Sequence, residues 1–309
     1  MHFVYTKMHS TFLTIVKIDK ECYNTINKME NYVMNLFERI IHSLQKTMEC
    51  PTNFGWFHIM FIIIVSISTI LICKFYKNCG EKTVNKIIFI GWALVFLLEI
   101  YKQIEFSFVY EDGKAIWDYP VYIFPFQLCS SELYILPFIF LLKEGKLRNA
   151  MIAYIITFSF FGGLAVFVYP NDVFIETIGI NIQTMIHHGT QILLGIFLFV
   201  RYRKTFDFKF YVKSIFVFFC MLFIATVLDI AVYKHLVSMG NTETFNMFFI
   251  SPYFDCTLPI LSIIYDNVPY FVFYLIYMLG FVLISYIIFI LETSIYKLVS
   301  KKKYEKEAA

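Results

Sequence analysis

The amino-acid sequence predicts an all-α, polytopic membrane protein with about seven transmembrane helices. Three observations support this prediction: the apolar composition, the number of long apolar stretches, and the alternation of basic and acidic loops between them. Of the 309 residues, 59% are hydrophobic and only 16% are charged, and the mean hydropathy is +0.67. In an ordinary soluble domain about a quarter of the residues are charged, and the apolar side chains are concentrated in one core. We therefore expect lipid to surround most of this chain.

Seven apolar stretches are long enough to cross a bilayer as helices. A hydrocarbon core about 30 Å thick requires about 20 residues of helix. The third stretch contains Pro125 and Pro137, which membrane helices tolerate. Each stretch is too long for a buried strand. The stretches are residues 55–75, 86–109, 119–142, 148–168, 180–201, 210–233 and 269–292.

The charges in the loops predict how the chain is oriented. Loops rich in lysine and arginine lie in the cytoplasm. This places the N-terminus outside, the C-terminus inside and an odd number of spans in a cell membrane. We divide the chain into an N-terminal, partly helical tail (1–52), a transmembrane domain (53–292) and a basic cytoplasmic tail (293–309). The basic segments follow the odd-numbered spans and include Lys74, Lys77, Lys82, Lys86, Lys143, Lys146, Arg148, Arg201, Arg203, Lys204, Lys209, Lys213 and Lys297.

Several polar side chains lie within the predicted spans, mostly in the outer half of the bilayer. An ionisable side chain at the bilayer centre costs at least about 2.5 kcal/mol, so it should face the bundle interior and have a partner. The matching depth on three spans predicts one polar cavity that opens towards the outer face. The candidate residues are Glu99, Lys102 and Gln103 in the second span, Gln127, Cys129 and Glu132 in the third, and His187 and His188 in the fifth.

Each of these residues also has a purely structural interpretation. Glu99 and Lys102, three residues apart, could form a buried ion pair on one helix face. Cys129 alone could be a small buried hydrophobic residue, and Glu132 could pair with Lys102 or with a histidine. The adjacent histidines point about 100° apart on a helix, so one of them should face the cavity. Together, however, the set supplies a nucleophile, a base and carboxylates at one depth.

No motif in the sequence predicts a metal or a cofactor. No His or Cys pair within a span has the i, i+4 spacing of a metal site, and no phosphate-binding glycine motif is present. The seven cysteines show no CxxC spacing, and no long basic run indicates nucleic-acid binding. We therefore expect membrane lipid as the surroundings, a lipid or small molecule as the ligand, and no cofactor. The oligomeric state stays open.

Short motifs in the spans resemble those of the YwaF-type family of bacterial integral membrane proteins. The family is related to a vertebrate transmembrane acyltransferase, and the resemblance covers roughly residues 53–292. By this resemblance Cys129 would be the catalytic cysteine and His188, which precedes a glycine, the catalytic histidine. The family commonly has His where this chain has Gln127. The matching motifs are residues 53–58 (NFGWFH), 98–103 (LEIYKQ), 124–130 (FPFQLCS), 186–189 (IHHG), and a segment before the last span that contains Asn246.

Three hypotheses follow for the function. In the first, the protein is an acyltransferase or lipid hydrolase in which Cys129 is the nucleophile and His188 the general base. In that case Glu99 or Glu132 would orient the base, and Lys102, Gln103, Gln127, His187 or Asn246 would bind or orient the substrate. In the second, the same cavity serves a transporter or small-molecule sensor without covalent chemistry. In the third, the protein is structural and the cavity has no activity.

Overall fold

The computed structural model describes residues 36–171 and 173–308, with side chains described up to residue 301. Of the predicted tail (1–52), the first 35 residues lie outside this description. The described part of the tail contains the helix α1. The helices in chain order are α1 (Leu36–Leu44), α2 (Trp56–Tyr76), α3 (Glu81–Phe106), α4 (Glu132–Leu141), α5 (Lys146–Tyr154), α6 (Phe160–Val168), α7 (Ile178–Tyr202), α8 (Phe208–Ser238), α9 (Leu261–Asn267) and α10 (Tyr270–Ala308).

Five helices among the described residues are long and apolar enough to cross a membrane. They are α2, α3, α8, the continuous segment Lys146–Val168 and the part Tyr270–Lys301 of α10. The protein is therefore a mostly helical, multi-pass membrane protein. Two further predicted spans, at 119–142 and 180–201, are not among these five, so the count of seven and the orientation stay predictions.

The predicted continuous helix over residues 119–142 is wrong for its first half. This segment contains two short 3₁₀ turns, Val121–Ile123 and Cys129–Ser131, and only then continues as the ten-residue α4. Pro120 and Pro125 explain the difference, because proline lacks an N–H donor and disfavours helical geometry in the residue before it. At 1.5 Å per residue, α4 covers only about 15 Å of a bilayer.

The fourth predicted span is continuous but contains a change of helix type. Between α5 and α6 the backbone forms a π-helix at Ile155–Ser159, in which all five residues are buried. Single π-helical turns inside α-helices are frequent at functional sites. This π-helix and the irregular start of the third span are the two irregular helical segments beside the polar side chains.

The polar helix α7 lies in the centre of the bundle. It packs against α2, α3 and α6, and most of its side chains are buried. In contrast, the most apolar part of α2 is only 22% buried, as expected for a helix that faces lipid. Polar side chains at membrane depth are energetically costly, and here the apolar helices around α7 shield its polar side chains from lipid.

A small cap covers the end of the bundle at which α3 ends and α7 begins. Strands β1 (Phe108–Glu111) and β2 (Lys114–Trp117) form a hairpin whose turn, Asp112-Gly113, has positive φ at both positions. This is the geometry that an Asp-Gly dipeptide favours in a two-residue hairpin turn. Helix α1 packs on the hairpin. These two strands are the exception to the all-α prediction among the described residues.

Candidate functional site

Cys129 is held against the centre of the bundle through its backbone. Its carbonyl oxygen accepts a hydrogen bond from His187 Nε2 at 3.1 Å and another from the amide of Gln191. Both donors come from α7, where they are four residues apart and therefore on one helix face. Gln191 was not among the predicted site residues, and this spacing from His187 was the signal that could have identified it. The two bonds fix the start of the 3₁₀ turn and do not involve the Cys129 thiol.

Two glycines at the start of α6 allow the Cys129 segment and α7 to approach each other closely. A Cβ atom on Gly163 would lie 2.6 Å from the carbonyl oxygen of His188 and 2.8 Å from Cβ of Gln191. A Cβ on Gly162 would lie 3.7 Å from Cα of Cys129. A side chain at position 163 would therefore push α6 away from the two histidines.

The two histidines use different nitrogen atoms to contact the protein. His188 Nδ1 donates to the Thr184 carbonyl oxygen at 2.8 Å, because a carbonyl can only accept. In a neutral imidazole this leaves His188 Nε2 with a lone pair, and this buried atom has no hydrogen-bond partner among the described residues. His187 has the opposite arrangement, since its Nε2 donates to Cys129 and its buried Nδ1 has no described partner. The ring centroids are 5.1 Å apart.

Glu132 lies beside His187 and is completely buried. Its Oε1 is 3.5 Å from His187 Nε2, and its Oε2 accepts a hydrogen bond from Ser159 at 3.4 Å. Ser159 belongs to the π-helix, so this helical irregularity supplies a partner to the buried carboxylate. Of the two partners considered for Glu132 from the sequence, Lys102 or a histidine, the structure places a histidine next to it.

On α3, Glu99, Lys102 and Gln103 form one polar cluster, as their spacing predicts. Glu99 Oε1 is 2.9 Å from Lys102 Nζ and accepts a hydrogen bond from Gln103 Nε2 at 2.8 Å. Tyr119 donates to Gln103 Oε1. The α3 cluster therefore supplies both a carboxylate and an ammonium group.

Five buried polar atoms of this region have no hydrogen-bond partner among the described residues. Buried polar groups are paired in the great majority of cases, so an unpaired one needs an explanation such as a catalytic or ligand-binding role. Here they occur together in the region of Cys129, and all five are acceptors, which leaves them available to the donor groups of a polar ligand. The atoms are Glu99 Oε2, Glu132 Oε1, His187 Nδ1, His188 Nε2 and Gln191 Oε1.

Gln127 and Asn246, also predicted as site residues, have mainly structural contacts. The Gln127 amide donates to the Asn246 carbonyl oxygen at 2.9 Å and accepts from the Phe248 N–H at 2.7 Å. The Asn246 side chain in turn bonds the backbone of Asp255 and Ser251. These bonds join the Cys129 segment to the loop before α9. Gln127 therefore has a positioning role here, which differs from the proton transfer that a histidine at this position could perform.

Two acidic residues fasten the same loop. Asp229, on α8, is completely buried and accepts from the Met247 N–H at 2.7 Å. Glu243 accepts hydrogen bonds from Val121 N–H and from the Asn241 amide, and these bonds hold the pKa of the Glu243 carboxyl below its ordinary value. No pattern in the sequence connects Asp229 with this loop.

Two possible features of the site are absent in the described part of the chain. Among the residues whose side chains the structure describes (36–171 and 173–301), no hydrogen bond joins the Cys129 thiol to either histidine. Within the same residues, no group of three or more His, Cys, Asp or Glu side chains could hold a metal ion. The groups that the arrangement offers for chemistry are a thiol, two buried imidazoles and two buried carboxylates.

Comparison with known proteins identifies one family. The family model described as the TMEM164 family matches residues 53–293. This range begins just before α2 and ends within α10, so it contains all the polar residues described above. No curated protein matches the chain, and no solved structure matches it.

Proposed function

This chain belongs to the TMEM164 family, and from that premise we propose that it is a cell-membrane acyltransferase or lipid hydrolase that uses Cys129 as its nucleophile. The observation that carries the proposal is the placement of Cys129 directly against α7, beside buried imidazole nitrogens that lack a described partner. The proposal agrees with the resemblance of the sequence to the YwaF-type family, whose vertebrate relative transfers acyl chains.

His188 is the better of the two candidates for the general base. Its Nδ1–H is committed to the Thr184 carbonyl, which leaves the lone pair on Nε2, as in a catalytic imidazole. His187, by contrast, donates its Nε2–H to the Cys129 carbonyl. We assign His187, with Gln191, to positioning the Cys129 segment.

The proposed reaction has two steps. In the first, His188 Nε2 removes the proton from the Cys129 thiol, and the sulfur attacks the carbonyl carbon of a lipid ester. The ester C–O bond breaks, and the alcohol leaves with the proton that His188 returns to it. In the second step, the hydroxyl group of another lipid or a water molecule attacks the Cys129 thioester. His188 again accepts the proton and then transfers it to the departing thiolate.

Other polar residues suit substrate binding. Lys102 supplies an ammonium group in the α3 cluster, and we assign it to stabilising the negative charge that develops on the ester oxygen. Gln103 lies in the same cluster. Glu132, 3.5 Å from His187, keeps the neighbouring imidazole oriented.

The proposal is tested by release of lysophospholipid from purified protein. Micelles of phosphatidylcholine, phosphatidylethanolamine and phosphatidylglycerol serve as donors, with lysophosphatidylethanolamine as an acceptor, and products are measured by mass spectrometry. We expect Cys129→Ala to abolish release and His188→Gln to slow it at least about 100-fold. Cys220→Ala, a change at another partly buried cysteine, should have no effect. Full activity of Cys129→Ala, or no activity of the unaltered protein, would contradict the proposal.

A transporter or sensor is the second candidate, and one observation favours it. Membrane transporters bind their solutes where spanning helices are interrupted, and here the third predicted span is interrupted at Cys129 while the Lys146–Val168 segment contains a π-helix. Solute counterflow in proteoliposomes distinguishes the two candidates. A transporter retains counterflow when Cys129 is replaced by alanine, whereas an acyltransferase shows none with either protein.

A further inference from the structure

A second polar region lies at the opposite end of the bundle, where α2 ends and α3 begins. A cavity of about 740 Å³ opens between the ends of α2, α3, α5, α7 and α8. Five cationic side chains and two carboxylates line it. Along α3 this end is about 27 Å from Glu99 at 1.5 Å per residue, so the cavity is separate from the Cys129 site.

The floor of the cavity is a fully bonded charge network. Glu81 lies between two guanidinium groups, 3.0 Å from Arg148 Nη2 and 3.0 Å from Arg201 Nη2, and it accepts a hydrogen bond from Tyr202 at 2.7 Å. Arg148, which is only 2% exposed, also donates to the Ile139 carbonyl and to Asn85. Two arginines share one carboxylate, so the floor is rigid and retains a positive charge.

The rim of the cavity adds positive charge that the protein leaves available. Lys77 and Lys204 are both exposed there, and in the described part of the chain neither forms an ion pair. Arg203 lies over the ring of Tyr296. These cations can therefore reach a ligand without first breaking a salt bridge.

Two helices direct their positive ends towards this region. α3 and α5 begin at Gly80 and Gly145, and neither glycine provides a side chain to cap the first N–H groups. Uncapped helix N-termini favour anions, because their free N–H groups carry partial positive charge. Gly145 itself lines the cavity.

We propose that this cavity binds a phosphate group, supplied by the headgroup of an anionic phospholipid or by a soluble phosphate ester. The cavity offers a cationic floor, two exposed lysines and two helix N-termini without a side-chain cap. Together these groups favour a phosphate over a neutral ligand. Four candidate spans begin or end here, so the cavity lies at the depth of lipid headgroups. Basic pockets between membrane helices are known to bind such headgroups.

The test uses the purified full chain and a double variant of the rim. Dioctanoyl phosphatidylglycerol is titrated into the protein in neutral detergent, with sn-glycerol phosphate as the soluble source and dioctanoyl phosphatidylcholine as the zwitterionic comparison. The double variant is Lys77→Gln with Lys204→Gln. The matched control is Lys82→Gln with Lys86→Gln, which removes the same charge from exposed lysines that do not line the cavity.

We expect the double variant to weaken binding of phosphatidylglycerol about thirtyfold and the control to leave it unchanged. If glycerol phosphate binds and shows the same loss, the source is a soluble ester. If only phosphatidylglycerol binds and shows the loss, the source is a lipid headgroup. The proposal is overturned if the double variant and the control bind equally well. It is also overturned if neither phosphatidylglycerol nor glycerol phosphate binds. The result is independent of the proposed acyl transfer, because neither lysine belongs to the Cys129 site.

Discussion

The two polar regions of this bundle differ in how completely their buried groups are bonded. At the basic end, Arg148 bonds four partners and Glu81 bonds three, so the network on the cavity floor is fully bonded. Around Cys129, five buried polar atoms have no described partner. The better bonded network is also the more exposed one, since the Glu81 side chain is 29% exposed whereas Glu132 is completely buried.

This difference separates a structural role from a chemical one. A saturated network stabilises the helix ends that it connects, and removing one member leaves an uncompensated buried charge. An unsaturated cluster lowers stability and persists because of what it binds or catalyses. Substitutions at the basic end should therefore reduce stability, whereas those around Cys129 should reduce activity at little cost in stability.

The largest expected effect is that of Arg148→Met. This change keeps much of the side-chain volume but leaves Asn85 and the Ile139 carbonyl without this donor, and it removes one of the three partners of Glu81. We expect a loss of about 3 to 5 kcal/mol in the free energy of unfolding. It is measured as a lower midpoint for loss of monodisperse protein on heating. Lys82→Met, at an exposed neighbouring position, is the control, and equal midpoints for the two variants would refute the structural role.

Gly163→Ala should have the next largest effect. The added Cβ would lie 2.6 Å from a backbone oxygen, so α6 and α7 must move apart, and we expect a loss of about 3 kcal/mol. Gly280→Ala provides the comparison, because no atom lies within 4 Å of its Cβ and alanine favours the helix. The same heating assay measures both. A Gly163→Ala variant as stable as Gly280→Ala would show that the close packing beside His188 is unnecessary.

Gln127→Leu should have a moderate effect of about 2 kcal/mol. It leaves the Asn246 carbonyl and the Phe248 N–H without their described side-chain partner, and each lost hydrogen bond costs about 1 kcal/mol. Asn267→Leu, which removes an exposed hydrogen bond to Ile263, should cost less than about 0.5 kcal/mol. Faster proteolysis of the 246–250 loop in the Gln127 variant is the second measurement. Unchanged proteolysis would mean that Gln127 does not position this loop.

The smallest effect on stability is expected from Glu132→Gln. The carboxylate is completely buried and bonds only weakly, so an isosteric amide should leave stability within about 1 kcal/mol or raise it. Lysophospholipid release should nevertheless fall. Glu81→Gln offers the reverse comparison, since it disrupts a bonded network and should lower the unfolding midpoint further. A Glu132→Gln variant that unfolds earlier than Glu81→Gln would contradict the contrast between the two ends.

The sequence predicted the lipid-facing part of the fold well. Helices such as α2 and α8 need only apolar side chains, and hydropathy reports those directly. The broken third span was harder, because hydropathy does not register the loss of helix at Pro120 and Pro125. The hairpin at 108–117 was also missed, because its first two residues were assigned to the second span and the others to the loop that follows it.

The candidate site was partly predictable from depth and spacing. Spacing placed Glu99, Lys102 and Gln103 on one face, and depth brought Cys129 near the histidines. The use of the Cys129 backbone carbonyl as the anchor for α7 could not be predicted. It depends on the 3₁₀ turn and on the approach permitted by Gly163, and no periodic pattern in the sequence describes either.

The most direct test of the central claim is a search for the acyl-enzyme itself. Protein incubated with phosphatidylcholine is digested, and the peptide that contains Cys129 is examined by mass spectrometry before and after treatment with hydroxylamine. We predict one acyl chain on Cys129, removed by hydroxylamine as expected for a thioester and strongly reduced in His188→Gln but not in Cys220→Ala. Acyl transfer that proceeds with Cys129 unmodified, or acylation spread equally over the other cysteines, would contradict the account.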